Sequence, residues 1–171
     1  MGKQVSIKQL EPEVNIYKEF VEIPVTINGN DEEYAIKLYP YFKPEKIKKL
    51  VNELVLFFQT AAKEKLNIPD EEQDDLIGFF MVKHFTNLKF TTSKKAVNIY
   101  KEFKIALNTS VFKTLIETFP AESKYEVMQR IFEISTTNEK LQAVIGKAQE
   151  AFKDLPLEHR EMLFGNENKA K

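Results

Sequence analysis

Val21-Glu22-Ile23-Pro24-Val25-Thr26-Ile27, the turn Asn28-Gly29-Asn30-Asp31, and Tyr34-Ala35-Ile36-Lys37-Leu38-Tyr39 form the stretch that decides the fold. Val21, Ile23, Val25 and Ile27 alternate with Glu22, Pro24 and Thr26, the period-2 pattern of a half-buried strand. Tyr34, Ile36 and Leu38 repeat the alternation after the turn, so the stretch reads as a β-hairpin. Pro24 has no N–H for a ladder and belongs on an edge. A lone hairpin is marginal in water, so its apolar face calls for helices packed upon it.

Those helices follow. Pro44 suits the first turn of a helix in which Ile47, Leu50, Val51, Leu54, Val55, Phe58 and Ala62 recur at helical spacing. The run Leu54-Val55-Leu56-Phe57-Phe58 is apolar all round and predicts a centrally placed helix. Carboxylates from Asp70 to Asp75 suit the positive end of a second helix, Leu76 to about Phe85. Ser93 is a candidate cap for a third, with Ala96, Ile99, Tyr100, Phe103 and Leu107 as its stripe. Further helices are predicted from Thr109 or Ser110 to Phe119, and from a Ser123/Glu126 capping box to Ile134. Another starts after a Thr136/Glu139 box, and a last turn follows Pro156. The fold class is therefore α+β, mostly α-helical: an N-terminal β-hairpin packed on a bundle of about five to seven helices. As domains, the sequence suggests one unit, 1–171, with a flexible arm at 1–13, the hairpin at 14–42, a helical body at 43–165 and a frayed tail at 166–171.

The heptapeptide Val-Asn-Ile-Tyr-Lys-Glu-Phe occurs at Val14 to Phe20 and again at Val97 to Phe103, with unrelated flanks. It is a repeated word and not a duplicated domain, because a true repeat would extend over a supersecondary unit. The second copy reads as helical and the first, leading into the strand, as extended. Side-chain periods of 2 and 3.6 would then present different faces, which argues against a shared partner for the two copies.

Hydrophobic residues at 43% and charged residues at 30% describe a folded chain, and 14 Phe and 6 Tyr supply much of its core. With 25 basic against 26 acidic residues there is no positive footprint for nucleic acid or an anionic membrane, so neither is expected as a partner. The absence of Cys excludes disulfides, thiol catalysis and thiolate metal sites. No apolar core follows Met-Gly-Lys-Gln-Val-Ser, and no apolar run approaches the roughly 20 residues that cross a bilayer, so a cytoplasmic location is expected.

Only His84 and His159 are available as imidazoles, far apart in sequence and without an evident second ligand or orienter. No nucleophile elbow or phosphate-binding loop is present. Asp70, Glu71, Glu72, Asp74 and Asp75 imitate a cation site but lack the central Gly of a calcium loop, and a helix start accounts for them. Lys43, Lys46, Lys48 and Lys49 are diluted by Glu45 and Glu53 and read as a solvated helix face. No catalytic residue, metal ligand or cofactor is assigned, and an enzyme is not expected. An enzyme would need a polar site built from distant residues, with carboxylates converging on His84.

Val-Thr-Ile-Asn-Gly at 25–29 leading to Tyr-Ala-Ile-Lys-Leu at 34–38, Ile-Pro-Asp-Glu-Glu-Gln at 68–73, Lys-His-Phe-Thr-Asn-Leu-Lys-Phe at 83–90 and the helical remainder resemble tail assembly chaperones of long-tailed phages and prophages. The resemblance lies in the order of features over about two thirds of the chain. It implies a non-enzymatic protein of the host cytoplasm that coats the tape-measure protein, or another tail protein, while the tail tube polymerises. It also implies self-association into a homo-oligomer. The family carries no fixed catalytic residues. Tyr39, Tyr41 and Phe42, read as exposed aromatics at the end of the hairpin, are the candidate partner-binding residues. A structural head-tail adaptor and a regulatory protein-binding module share the composition and stay open as alternatives.

Overall fold

A computed structural model describes residues 4–27, 29 and 32–151, with side chains as far as residue 137. The chain divides into two compact units, 1–130 and 131–171. The first unit opens with a 3-10 helix, Ile7–Lys18, in which no residue is buried. Gln9 Oε1 accepts from the Ser6 backbone N–H (2.8 Å) and the Ser6 hydroxyl (3.1 Å), which fixes where this helix starts. The first heptapeptide is thus 3-10 helical over most of its length, and only Glu19 onward turns extended, with ψ at 140°. The expectation of an extended first copy is corrected accordingly.

The hairpin forms as predicted, from β1, Val21–Thr26, and β2, Glu33–Leu38. Its antiparallel register sets Val21 opposite Leu38, Ile23 opposite Ile36 and Val25 opposite Tyr34, which puts the apolar residues on one face. Gly29 takes φ +85°, a conformation that costs other residues, while the other turn residues Asn28, Asn30 and Asp31 lie outside the described residues. Past the hairpin the second strand is tied to the helical body. Tyr39 N–H donates to Phe85 O (2.8 Å), Asn87 N–H to Lys37 O (3.1 Å), and Lys37 N–H to Asn87 Oδ1 (2.8 Å). The outer edge of that strand is thereby satisfied at Lys37, and Pro24 interrupts the other edge, which blunts both.

The helices α1, Pro44–Lys63, α2, Gln73–Phe85, α3, Ala96–Leu107, α4, Ser110–Thr118, and α5, Ala121–Ala151, follow in order. The protein is mostly helical with an N-terminal two-stranded hairpin, as the sequence predicts. In α1 the buried residues are Ile47, Leu50, Val51, Leu54, Phe57 and Ala61. At 100° per residue Leu56 projects nearly opposite Leu54, and it is 56% exposed. The apolar run is therefore two-sided and not buried all round, contrary to the central placement predicted. This helix ends with Leu66 N–H on Ala61 O (2.9 Å) and Lys65 N–H on Ala62 O (3.2 Å), the paired bonds of a Schellman cap, with Lys65 at φ +56° where Gly is usual.

Phenylalanine builds the core. Phe42 stacks on Phe85 with centroids 3.6 Å apart and meets the edge of Phe119 at 5.1 Å. Phe79 makes edge contacts with Phe80, Phe90 and Phe103 at 5.6, 5.2 and 5.8 Å. Thr109, at the predicted start of α4, caps it by accepting from Phe112 N–H (3.2 Å), whereas α3 starts at Ala96 and Ser93, the expected cap, lies outside it, its hydroxyl accepting from Asn98 Nδ2 (2.9 Å).

A single helix, α5, replaces the two predicted after Phe119. It begins just past Pro120, so Ser123 falls inside the first turn and is buried. Its hydroxyl donates to Pro40 O (2.6 Å) and pins the hairpin exit to this helix instead of capping. In the second unit Ser135, Thr136 and Thr137 each donate to the carbonyl four residues back, which leaves Thr136 free of any capping role. The turn expected after Pro156, His159 and the tail 166–171 lie outside the described residues.

Candidate protein-binding surface

The three hairpin-end aromatics separate on folding. Phe42 is only 2% exposed and belongs to the core, because it is drawn between Phe85 and Phe119; the reading of it as an exposed residue is corrected. Tyr39 is half-buried and Tyr41 is exposed. Two apolar side chains that were not singled out join them at this end. Phe20 meets Tyr39 edge-on at 6.0 Å, and Val21 next to it is exposed as well. Lys37 Nζ lies 4.5 Å from the Phe20 ring and Lys46 Nζ 5.3 Å from the Tyr39 ring, so cations flank the aromatic faces. The signal for Phe20 was present in the sequence, since it ends the polar-flanked word that feeds the first strand.

The N-terminal 3-10 helix offers a second apolar surface. At three residues per turn, Ser6, Gln9, Pro12, Asn15 and Lys18 form one row that is polar except for Pro12. Ile7, Leu10 and Ile16 share the next row with Glu13, and Val5, Val14 and Tyr17 fall in the third with Lys8 and Glu11. Apart from half-buried Tyr17, all of these apolar residues are exposed. The other copy of the heptapeptide has the opposite fate. In α3, Ile99 and Phe103 are buried, Tyr100 hydroxyl donates to Glu72 Oε2 (2.6 Å) and Glu102 Oε1 accepts from Thr91 N–H (2.8 Å).

Sequence reasoning missed the partner of His84. Glu53 on α1 sits with its Oε2 2.7 Å from His84 Nε2 and also accepts from Lys83 Nζ, both on α2. The hydrogen bond from His84, followed by that from Lys83, overrides partial burial and holds the Glu53 carboxyl down at about 2. Lys46 Nζ reaches His84 O (3.3 Å). Glu53 falls three residues from Leu50 and four from Phe57, beside the buried stripe, which was the available hint. One carboxylate meets the imidazole and a lysine occupies its other oxygen, so the group is built as a clip between two helices.

The acidic cluster resolves into local roles. Asp70–Glu72 form a 3-10 turn leading into α2, and Asp74 and Asp75 occupy its first turn, where the helix dipole favours them. Glu72 accepts from Tyr100 and Lys104, which lowers its own pKa and raises theirs. Among the described residues no group of three or more His, Asp or Glu could hold a metal ion. Within the lysine group Lys43 pairs with Glu45 (2.9 Å) and Lys46 is committed to His84 and the Tyr39 ring. An open groove of about 350 Å³ lies over Gly78, Phe112 and Ile116, rimmed by Asp74, Asp75, Lys113 and Glu117. Among the described residues no helix is long and apolar enough to cross a membrane.

The chain is 24% identical over 122 residues to the SPbeta prophage-derived uncharacterized protein YomO of Bacillus subtilis (strain 168), which covers 71% of this chain and 69% of that protein. The similarity supports a phage or prophage association. No solved structure matches. A family model described as YomO matches residues 7–171, from the first residue of the N-terminal 3-10 helix onward. With nearly the whole length matched, the chain belongs to the YomO family.

Proposed function

We propose that this protein is a non-enzymatic tail assembly chaperone of a phage or prophage, working in the host cytoplasm on the tape-measure protein during tail morphogenesis. The observation that carries this reading is the apolar surface at the hairpin end, where Phe20, Val21, Tyr39 and Tyr41 stand at least partly in solvent beside Lys37 and Lys46. Aromatics of this kind anchor protein interfaces, and flanking cations keep such a surface soluble and its contacts reversible. A holdase needs accessible apolar area of this sort more than it needs a deep pocket. The prophage origin of the similar protein, and the order of hairpin and helices, agree with the same reading.

The test is affinity capture of the full chain from infected or induced host cells, with mass spectrometry of what it retains. Recovery of a long helical tail protein, lost with the Tyr41→Asp and Phe20→Asp variants, is the expected result. Retention of this chain in purified particles would favour a head-tail adaptor, and recovery of a host regulator alone would favour a regulatory module.

A further inference from the structure

The N-terminal 3-10 helix, Ile7–Lys18, carries its apolar residues in two rows and buries none of them, so nothing among the described residues covers them. We propose that a second copy of this chain covers them, through an antiparallel, two-fold contact between the two N-terminal arms. This inference does not depend on the tape-measure reading.

Two features favour a second copy as occupant. The first is area. Val5, Ile7, Leu10, Val14 and Ile16 are 37 to 82% exposed. Each arm thus presents on the order of 500 Å² of apolar surface, and two arms together reach about 1,000 Å², the size a specific interface needs. The second is charge. Along the arm Lys8 precedes Glu11 and Glu13. A parallel pairing would set like charges against each other. An antiparallel pairing centred between Leu10 and Glu11 sets Lys8 against the partner's Glu13, Ile7 against its Val14 and Val5 against its Ile16. A two-fold axis makes each of these contacts twice, as an isologous interface requires.

The row of Ser6, Gln9, Pro12, Asn15 and Lys18 faces solvent in that arrangement. The hairpin edges compete poorly for a second chain, because Pro24 blunts the first strand and Phe85 to Asn87 cover part of the second.

Light scattering of the full chain over a concentration series up to about 100 μM reads the outcome. The expected result is a doubling of mass with concentration, and its loss in Ile7→Glu/Leu10→Glu, whose helical circular dichroism and melting stay those of the dilute wild type. Lys8→Glu and Glu13→Lys should each weaken the dimer at least tenfold. An equimolar mixture of these two variants should restore it, since every arm pair then regains opposite charges. Three outcomes overturn the proposal: a wild type monomeric throughout the series, a dimer that survives Ile7→Glu/Leu10→Glu, or charge variants that stay apart when mixed. A monomer whose arm instead binds anionic lipid vesicles would assign the face to a membrane surface, which also overturns it.

Discussion

Val-Asn-Ile-Tyr-Lys-Glu-Phe is written twice in this chain, and the two copies lie at opposite extremes of burial. At 97–103 its Phe is fully enclosed against Phe79 and its Ile is buried; at 14–20 the corresponding Phe20 and Ile16 are 45% and 37% exposed. Both copies take up helical hydrogen bonding over most of their length, α in one and 3-10 in the other. The seven residues therefore do not decide their own burial. Flanks do: Ala96 and Leu107 extend the second copy's stripe onto α1 and α2, whereas Pro12 and the strand at Val21 confine the first to a short arm. A region whose apolar residues have no partner among the described residues is free to find one elsewhere.

The largest expected contrast comes from truncating the matched phenylalanines. Phe103→Ala should cost about 3–5 kcal/mol, the usual range for a buried aromatic, while Phe20→Ala, losing an edge contact and a cation over its ring, should cost under about 1 kcal/mol. Urea unfolding of both variants in dilute solution measures the difference, and equal costs would erase the distinction between the two copies. Within the body, Ser123→Ala should destabilise by about 1–2 kcal/mol, because Pro40 O would be left without its buried donor.

The Glu53 clip should contribute a similar amount, about 1–2 kcal/mol once its partial exposure is allowed for. Since folding lowers that carboxyl from its ordinary 4.5 to about 2, the contribution is fully present above about pH 5 and fades as pH falls toward 2. Melting curves of wild type and Glu53→Gln should therefore differ at pH 7 and converge at pH 2–3. A smaller effect carries the opposite sign. Lys65→Gly should stabilise by up to about 1 kcal/mol by relieving the positive φ at the α1 cap. Charged substitutions confined to the arm should leave the melting of the dilute chain within about 0.5 kcal/mol of wild type.

Much of this fold was legible where periodicity governs. The hairpin alternation, the start of α1 at Pro44, the end of α2 at Phe85 and the start of α4 at Ser110 all follow from local pattern. What escaped was set by tertiary partners. Phe42 lies between Pro40 and Pro44 with no periodic neighbours, so nothing local tells its buried ring from exposed Tyr41. Glu53 and His84 meet across 31 residues of sequence, and Ser123 finds a carbonyl 83 residues away, which turns an apparent cap into an anchor. The break expected near Thr136 failed because hydroxyls in a helix can bond back to their own turn. Of the three aromatics read as exposed at the end of the hairpin, Tyr41 is exposed, Tyr39 is half-buried and Phe42 is in the core.

Hydrogen exchange of the full chain, followed by mass spectrometry at low and high protein concentration, tests the central contrast most directly. The account predicts that amides of 97–103 are strongly protected at every concentration, while those of 14–20 exchange quickly in dilute solution and slow only when a second chain or a partner is bound. Equal protection of both copies in the dilute monomer would contradict it, because the arm would then have its partner within the chain.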